Sequence, residues 1–286
     1  MKYKQLGKSD LHISTVGFGC MSLSDDHSAN ERLLHKAVDL GINFFDTADL
    51  YQKGWNEESV GKALKAKRNK LFIATKAGNQ WRPDGSGWDW NPNKDYILQC
   101  AEKSLQRLQT DYIDLYQLHG GTINDPIDDT IAAFEQLKKE GKIRYYGISS
   151  IRPNVIREYI KRSNIVSVMM QYSLLDRRPE ETCLSLLREH NIGVLARGPL
   201  AQGLLVNKPP KDYLGYTTQQ VQTLQQKLQK HTAMRYVLQN PAITAAIPGI
   251  RTMQHLLDAV EAVDAPDINT ADIAALLPPN TYEQHR

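Results

Sequence analysis

Eight short apolar segments alternate with eight amphipathic ones, the apolar segments show no polar face, and no Pro/Gly/Ser-rich linker divides the 286 residues. Together these features predict an α/β chain folded as one (β/α)8 barrel domain of the TIM type over residues 1–286. A strand that lacks polar alternation is buried on both faces, as in a parallel sheet wrapped by helices. Eight such units in a chain of this length favour a closed barrel over an open sheet. Hydrophobic residues at 41% and charged residues at 23% are sufficient for a large core.

The opening elements are extended. Leu6-Gly7-Lys8-Ser9-Asp10-Leu11 reads as a turn between the extended flanks of residues 3–14, an amino-terminal β-hairpin able to plug one end of the barrel. Thr15 to Met21 then reads as a strand ending in glycines. Gly17-x-Gly19 suggests a dinucleotide fingerprint, but Ser22 stands where a third glycine is required, and no acidic residue closes a second strand in register. A Rossmann domain is therefore rejected.

From there the pattern repeats. Helices are expected over Ser28–Leu40, Glu57–Ala66, Lys94–Leu108, Pro126–Glu140, Pro153–Arg162, Pro179–Glu189, Thr218–Gln239 and Thr252–Val263, several opened by Ser, Thr or an early Pro. Strands are expected over Val16–Cys20, Ile42–Asp46, Leu71–Lys76, Tyr112–His119, Ile143–Ile148, Ile165–Gln171, Ile192–Leu195 and Ile243–Ile247. The tail Asn269–Arg286 holds one short helix and a Pro-Pro break, and either packs outside the barrel or frays.

Composition narrows the function classes. A net charge of +3 from 35 basic and 32 acidic residues, mixed along the chain, leaves no electrostatic footprint for nucleic acid. The polar amino terminus lacks the apolar centre of a signal peptide, and no apolar run approaches membrane-spanning length, so a cytoplasmic protein without membrane association is expected. Cys20, Cys100 and Cys183 are an odd number without C-x-x-C spacing, which argues against disulfides and against a bound metal. A monomer and a small homo-oligomer both remain open.

The chemistry gathers where strands end. In Asn43-Phe44-Phe45-Asp46-Thr47-Ala48-Asp49-Leu50-Tyr51 an apolar run stops at a carboxylate and delivers a tyrosine five residues later. A carboxylate at a strand's buried end is costly unless paired. Lys76 and His119 follow two other apolar runs in the same way. Each alone has a structural explanation: a loop Asp satisfied by backbone N–H groups, a solvated Lys, a satisfied core His. In a parallel barrel, however, the carboxyl ends of the strands share one face, and there Asp46, Tyr51, Lys76 and His119 converge.

Two long loops belong to that face. Residues 77–93 carry Trp81, Trp88 and Trp90, which either form a substrate lip or pin the loop to its own barrel. Residues 199–217 are suited to fold over a ligand.

Six motifs in order, Phe45-Asp46-Thr47-Ala48-x-x-Tyr51, Ala74-Thr75-Lys76, Gln117-Leu118-His119, Gly147-Ile148-Ser149-Ser150, Gln171-Tyr172-Ser173 and Ile247-Pro248-Gly249-Ile250-Arg251-Thr252, resemble those of the aldo-keto reductases. The likeness runs over residues 3–264. It implies a (β/α)8 barrel that uses NADPH/NADP+ to interconvert small carbonyl compounds and alcohols. By position, Tyr51 corresponds to the general acid, Lys76 to the cation that lowers its pKa, Asp46 to the anion holding Lys76, and His119 to the group orienting the carbonyl.

The same resemblance places the cofactor. Ser149 and Gln171 fall where the family contacts the nicotinamide carboxamide, with Ser150 in place of a frequent Asn. Where many members carry an aromatic after the seventh strand, the run here is Arg197-Gly198-Pro199-Leu200, and a planar guanidinium also stacks. Gly19, Cys20 and Met21 lie on the cofactor side of the first strand, and Leu200, Gln202 and Gly203 near the pyrophosphate. Gly249, Arg251, Thr252 and His255 surround the expected 2′-phosphate, an anion site by helix dipole and guanidinium together. Ala259 stands where the family often has an Asn for the adenine. Trp81, with Tyr51 and His119, is expected to meet substrate. Two other functions compete: a Schiff-base aldolase through Lys76, disfavoured by its pairing with Asp46, and a cofactor-binding regulatory subunit of the kind attached to ion channels.

Overall fold

The computed structural model describes residues 1–286 apart from the side chains of Ala274 and Ala275. In chain order the elements begin with β1 (Tyr3–Gln5), β2 (His12–Ser14), β3 (Phe18–Gly19), α1 (His27–Asp39), β4 (Phe44–Asp46), α2 (Trp55–Leu64), β5 (Phe72–Ala77), β6 (Asn79–Trp81), β7 (Trp88–Trp90) and α3 (Lys94–Leu108). They continue with β8 (Ile113–Leu118), α4 (Ile127–Lys139), β9 (Ile143–Ser149), α5 (Pro153–Arg162), β10 (Ser167–Gln171) and α6 (Cys183–Glu189). Last come β11 (Gly193–Arg197), α7 (Thr218–Lys227), α8 (Thr232–Gln239), β12 (Ile243–Ile247), α9 (Met253–Glu261) and α10 (Thr270–Leu276). Among the described residues no helix is long and apolar enough to cross a membrane.

Eight parallel strands run in the order β3-β4-β5-β8-β9-β10-β11-β12. The seam between β12 and β3 closes by single bridges, Val16 with Ala246 and Gly19 with Gly249. Gly17 N–H donates to Ala246 O at 2.9 Å and Gly19 N–H to Pro248 O at 3.0 Å. Side-chain bulk explains why glycine sits at this seam: a Cβ on Gly19 would stand 2.6 Å from Pro248 O. The expected strand Val16–Cys20 is thus shortened to Phe18–Gly19, its ends serving the seam instead.

The expected hairpin forms, with Lys4 opposite Ile13, and its turn pushes Leu6, Leu11 and Ile13 into the lower mouth of the barrel. There they meet Phe44, Leu115, Met169 and Leu195 in a core distinct from the layer between strands and helices. Both layers are fully buried, as the unalternating strands required. The three cysteines are free and buried.

The helix expected over Pro179–Glu189 is shortened to Cys183–Glu189, two further segments differ from the sequence reading, and the tail takes one of its two expected courses. The helix expected over Thr218–Gln239 is two helices, broken where His231 takes φ 67°. α7 turns Val221 and Leu224 inward, whereas α8 packs on β12, and no Gly or Pro marks the change. The loop over residues 77–93 contains an antiparallel hairpin, Trp81 opposite Trp88. The tail packs: Tyr282 is buried, and Asn280 Oδ1 accepts from Arg177 N–H at 2.8 Å.

Gly7 shows how tightly the plug fits. Its φ is +54°, and a Cβ there would lie 2.3 Å from Val166 O and 2.7 Å from Gly193 N. Gly7→Ala is expected to destabilise the fold by about 1–3 kcal/mol, the range for overpacking, read as a lower urea midpoint at unchanged slope; a midpoint equal to wild type contradicts the plug's close fit.

Candidate active site

Asp46 ends β4 because that strand pairs with β3 on one side and β5 on the other, leaving its last side chain beside the last residues of β5. Beyond Asp46 the chain folds over β5, with Thr47 N–H on Ala74 O at 2.9 Å and Asp49 N–H on Lys76 O at 3.2 Å. A tight turn with left-handed backbone follows at Tyr51–Gly54. It is strained, since Gln52 and Lys53 hold φ of 49° and 55°, a conformation that costs non-glycine residues energy and persists only when the surroundings impose it. Asp25 Oδ1 accepts from Gln52 Nε2 at 2.6 Å, and Asn56 Nδ2 donates to Gln52 Oε1 at 3.1 Å.

The result is a chain of polar contacts. Lys76 Nζ donates to Asp46 Oδ2 at 2.7 Å, to Thr47 O at 2.8 Å and to Tyr51 Oη at 3.4 Å. The Tyr51 and His119 rings meet edge to face, their centroids 5.8 Å apart. Asp46, Tyr51, Lys76 and His119 are therefore brought together as a cluster, with Lys76 only 1% exposed.

Each charge state has a cause. Burial alone lowers the Lys76 ammonium, but the Asp46 carboxylate and then Tyr51 outweigh it, and the group sits above the ordinary lysine range. Burial raises the Asp46 carboxyl, opposed by Lys76 and by Gln117, whose Nε2 donates to Asp46 Oδ1 at 3.3 Å. For Tyr51 burial raises the phenol more than Lys76 lowers it. Lys76 thus acts in the expected direction, yet the phenol lies above its usual value. Burial, then Lys76 and Arg197, push His119 down to about 3, and its Nδ1 has no partner among the described residues.

Supporting residues lay outside the sequence reading. Asn56 Oδ1 accepts from Thr47 Oγ1 at 2.7 Å while its Nδ2 donates to Cys20 O at 2.9 Å, tying the ends of β3 and β4. Glu57, wholly buried on α2, accepts from Thr75 Oγ1 at 2.6 Å and from Arg107 Nε at 2.7 Å, fixing β5 one residue before Lys76. A signal was present: consecutive polar residues at the start of an amphipathic helix, on the face that must turn inward.

The groups expected around a cofactor occupy the adjoining strand ends. Ser149 closes β9 with Ser150 just beyond it, Gln171 closes β10 and Arg197 closes β11, with Gln171 and Arg197 side by side in register. Arg197 Nη1 donates to Gln171 Oε1 at 3.2 Å, and Gln171 Nε2 donates to Tyr213 Oη at 3.0 Å. Tyr213, unforeseen, brings the loop over residues 199–217 down onto this row. Gly198 and Gly203 take φ of 66° and 94° in the turn that also holds Pro199, Leu200 and Gln202. At β3, Gly19 faces Gly249, the Cys20 thiol turns into the core with burial pushing it up, and Met21 is exposed.

Arg251 is exposed just ahead of α9, and Thr252 is that helix's cap, its hydroxyl accepting from His255 N–H at 3.2 Å. Trp81 leans on the turn that carries Tyr51, donating through Nε1 to Leu50 O at 3.3 Å, and Trp90 Nε1 donates to Asp125 Oδ2 at 3.0 Å. Both indoles thus pin the loop, while Trp88 is exposed.

Neutral His119 links this site to stability. Its imidazole stays unprotonated when folded but gains a proton below about 6.5 when unfolded, so the unfolded chain binds more protons there and stability is lost as the pH drops from about 6.5 towards 3. Between pH 6.5 and 4.5 the wild type is expected to lose about 2 kcal/mol more than His119→Gln. Urea titrations at both pH values check this; parallel losses in the two proteins refute the buried neutral state.

The likeness to known proteins covers the whole barrel. The model of the aldo/keto reductase family matches residues 15–277. An uncharacterized oxidoreductase, YqkF, of Bacillus subtilis is 48% identical over 100% of both chains. The NADH-specific methylglyoxal reductase of Escherichia coli is 34% identical over 75% of this chain and 72% of its own. Among solved structures, the aldo-keto reductase AKR11C1 of Bacillus halodurans in its holo form is 50% identical, covers 100% of this chain and 99% of its own, and superposes with a TM-score of 0.96. In its apo form the TM-score is 0.87. A buried lysine held by aspartate beside a tyrosine and a neutral histidine, at the carboxyl face of a barrel matched along nearly its full length, places the chain in the aldo/keto reductase family of oxidoreductases.

Proposed function

We propose that the chain reduces aldehydes and ketones to alcohols with NADPH, Tyr51 giving the proton that neutralises the developing alkoxide. The observation that carries this reading is the approach of Tyr51 Oη to within 3.4 Å of a buried Lys76 Nζ that Asp46 holds at 2.7 Å. Burial keeps the phenol protonated near neutrality, as an acid must be. Lys76 then stabilises the phenolate that proton transfer leaves behind, a charge that exists only as the reaction proceeds. Asp46 keeps that cation charged and, by the same pairing, makes it a poor nucleophile, which leaves Schiff-base chemistry without support. His119, neutral and half-buried with Nδ1 enclosed, is able to hydrogen-bond the carbonyl oxygen through Nε2 without adding a positive charge. Trp81 borders the approach of a small carbonyl compound.

The chain's residues fit a nicotinamide cofactor, which supplies the hydride when bound. Ser149, Ser150, Gln171 and Arg197 form a polar row at adjacent strand ends. The glycine seam at Gly19 and Gly249 lets backbone approach closely, and the greater likeness to the holo form of the Bacillus halodurans enzyme supports the same reading. NADPH is proposed over NADH because Arg251 and the amino end of α9 together suit a 2′-phosphate. One relative is NADH-specific, so the preference must come from groups that touch that phosphate.

Tyr51→Phe is expected to retain cofactor affinity and lose about two orders of magnitude or more in turnover across a panel of aldehydes and ketones followed by NADPH oxidation. Reduction above a tenth of wild type sinks the assignment. Arg251→Ala is expected to raise the NADPH dissociation constant by roughly tenfold to hundredfold, the worth of one charge-assisted contact. Fluorescence titration at fixed salt reads both cofactors, and equal losses for NADH and NADPH remove Arg251 from the phosphate site.

A further inference from the structure

Two residues of the hairpin after β5 grip the backbone that carries His119. Asn79 and Trp90 face each other in register at the base of that hairpin, where β6 begins and β7 ends. His119 N–H donates to Ala77 O at 2.7 Å, continuing the pairing of β8 with β5, and the His119 carbonyl accepts from Asn79 Nδ2 at 3.3 Å. The next residue, Gly120, lies under the Trp90 indole: a Cβ there would stand 3.2 Å from Cζ3 and 3.3 Å from Cη2 of that ring.

Gly78 meets the same ring from the β5 side, with φ +121° and a Cβ position 2.8 Å from Cζ3. The indole therefore rests on bare backbone at the ends of two adjacent barrel strands. Its N–H is engaged as well. Asp125 Oδ2 accepts it at 3.0 Å and also accepts Thr122 N–H at 2.7 Å, while Asp125 Oδ1 accepts from the Thr122 hydroxyl at 2.6 Å. The run from His119 to Asp125 is thereby tied to the hairpin, and Asn91 N–H on Gly78 O at 2.8 Å ties the hairpin to the end of β5. The His119 ring itself is held more loosely: its enclosed Nδ1 has no partner among the described residues, and it meets Tyr51 only edge to face. Its direction follows from its backbone and from packing.

We propose that Trp90, with Asn79 as the second arm, is the positioning residue for His119: its indole on Gly78 and Gly120 sets the His119–Gly120 peptide and so aims the imidazole at a bound carbonyl. The consequence for turnover rests on the reductase reading, whereas the placing of the ring does not. Misplacing such a group by about 1 Å can cost roughly a hundredfold in rate.

The His119 Cε1–H resonance of the full chain, identified by its loss in His119→Gln, reads the ring without any need for turnover. In the wild type burial, Lys76 and Arg197 hold the His119 pKa down to about 3, so the resonance should not titrate between about pH 8 and about pH 5. Trp90→Ala should open the ring to water and bring its titration into that window, towards the ordinary value of about 6.5. In carbonyl reduction followed by NADPH oxidation, Trp90→Ala should lower kcat and kcat/KM together by about tenfold to a hundredfold with NADPH affinity unchanged, the pattern of an interaction lost in the transition state. Trp90→Phe keeps an aromatic face on the two glycines and should recover most of both effects. Asn79→Ala removes the bond to His119 O and should move both readouts the same way, less far. An unmoved His119 resonance in Trp90→Ala overturns the proposal whatever the rate, and so does a Trp90→Phe no better than Trp90→Ala. Should Trp90→Ala fail to fold, wild-type values in Asn79→Ala overturn it instead. A wild type that reduces no carbonyl removes the reductase reading alone, because the resonance still reports the hold of Trp90 on His119.

Discussion

The structure depends most on one buried ion pair. Asp46 and Lys76 meet at 2.7 Å with almost no exposure, and taking both charges out of water costs several kcal/mol for each ion unless geometry and further hydrogen bonds offset it. The surroundings provide those bonds: Thr47 O accepts from the ammonium, and Gln117 donates to the second carboxylate oxygen. Each partner comes from the end of a neighbouring strand or the turn beyond it, so the pair is satisfied only if β4, β5 and β8 stand in this register. The parallel sheet and the ion pair therefore specify one another.

A second buried pair supports the first from outside. Glu57 on α2 joins Arg107 on α3 and grips Thr75 beside Lys76, so the helices around the barrel are electrostatically keyed to the strand that carries the lysine. Asp114 does the same lower down, accepting from Ile73 N–H at 2.9 Å while Arg68 and Arg144 neutralise it. Each of these three buried carboxylates would be unfavourable without its cation. Here each is matched by a side chain from a different element, and this links sheet to helices more specifically than apolar packing alone.

Much of this was legible in the sequence, for reasons that can be named. Strands buried on both faces must be apolar throughout, which exposed the alternation of strand and helix, and a titratable residue ending such a run stands out against it. Asp46, Tyr51, Lys76 and His119 were visible on that ground. Tyr213 was not, because its position depends on the path of a long loop and nothing local fixes that path. The split between α7 and α8 was hidden too, since a left-handed residue at His231 leaves no glycine to mark it. Asn56 and Glu57 offer only the sign that they start a helix on its inward face, their burial being set by packing between α2 and its neighbours. The phenol's pKa depends on a balance of burial against charge, which only three-dimensional placement decides.

The hairpin that fills the lower mouth has a kinetic meaning. Lys4 bonds to Ile243 and Lys2 to Val263, pairings that span 239 and 261 residues of chain. Contacts so distant carry a large loop-closure entropy and form late. Until β12 arrives, Leu6 and Leu11 have no enclosed mouth to enter, and β3 has a partner on one edge only. A strand that contributes none of the tetrad thus completes the mouth, and until it does the apolar plug remains exposed to rival associations.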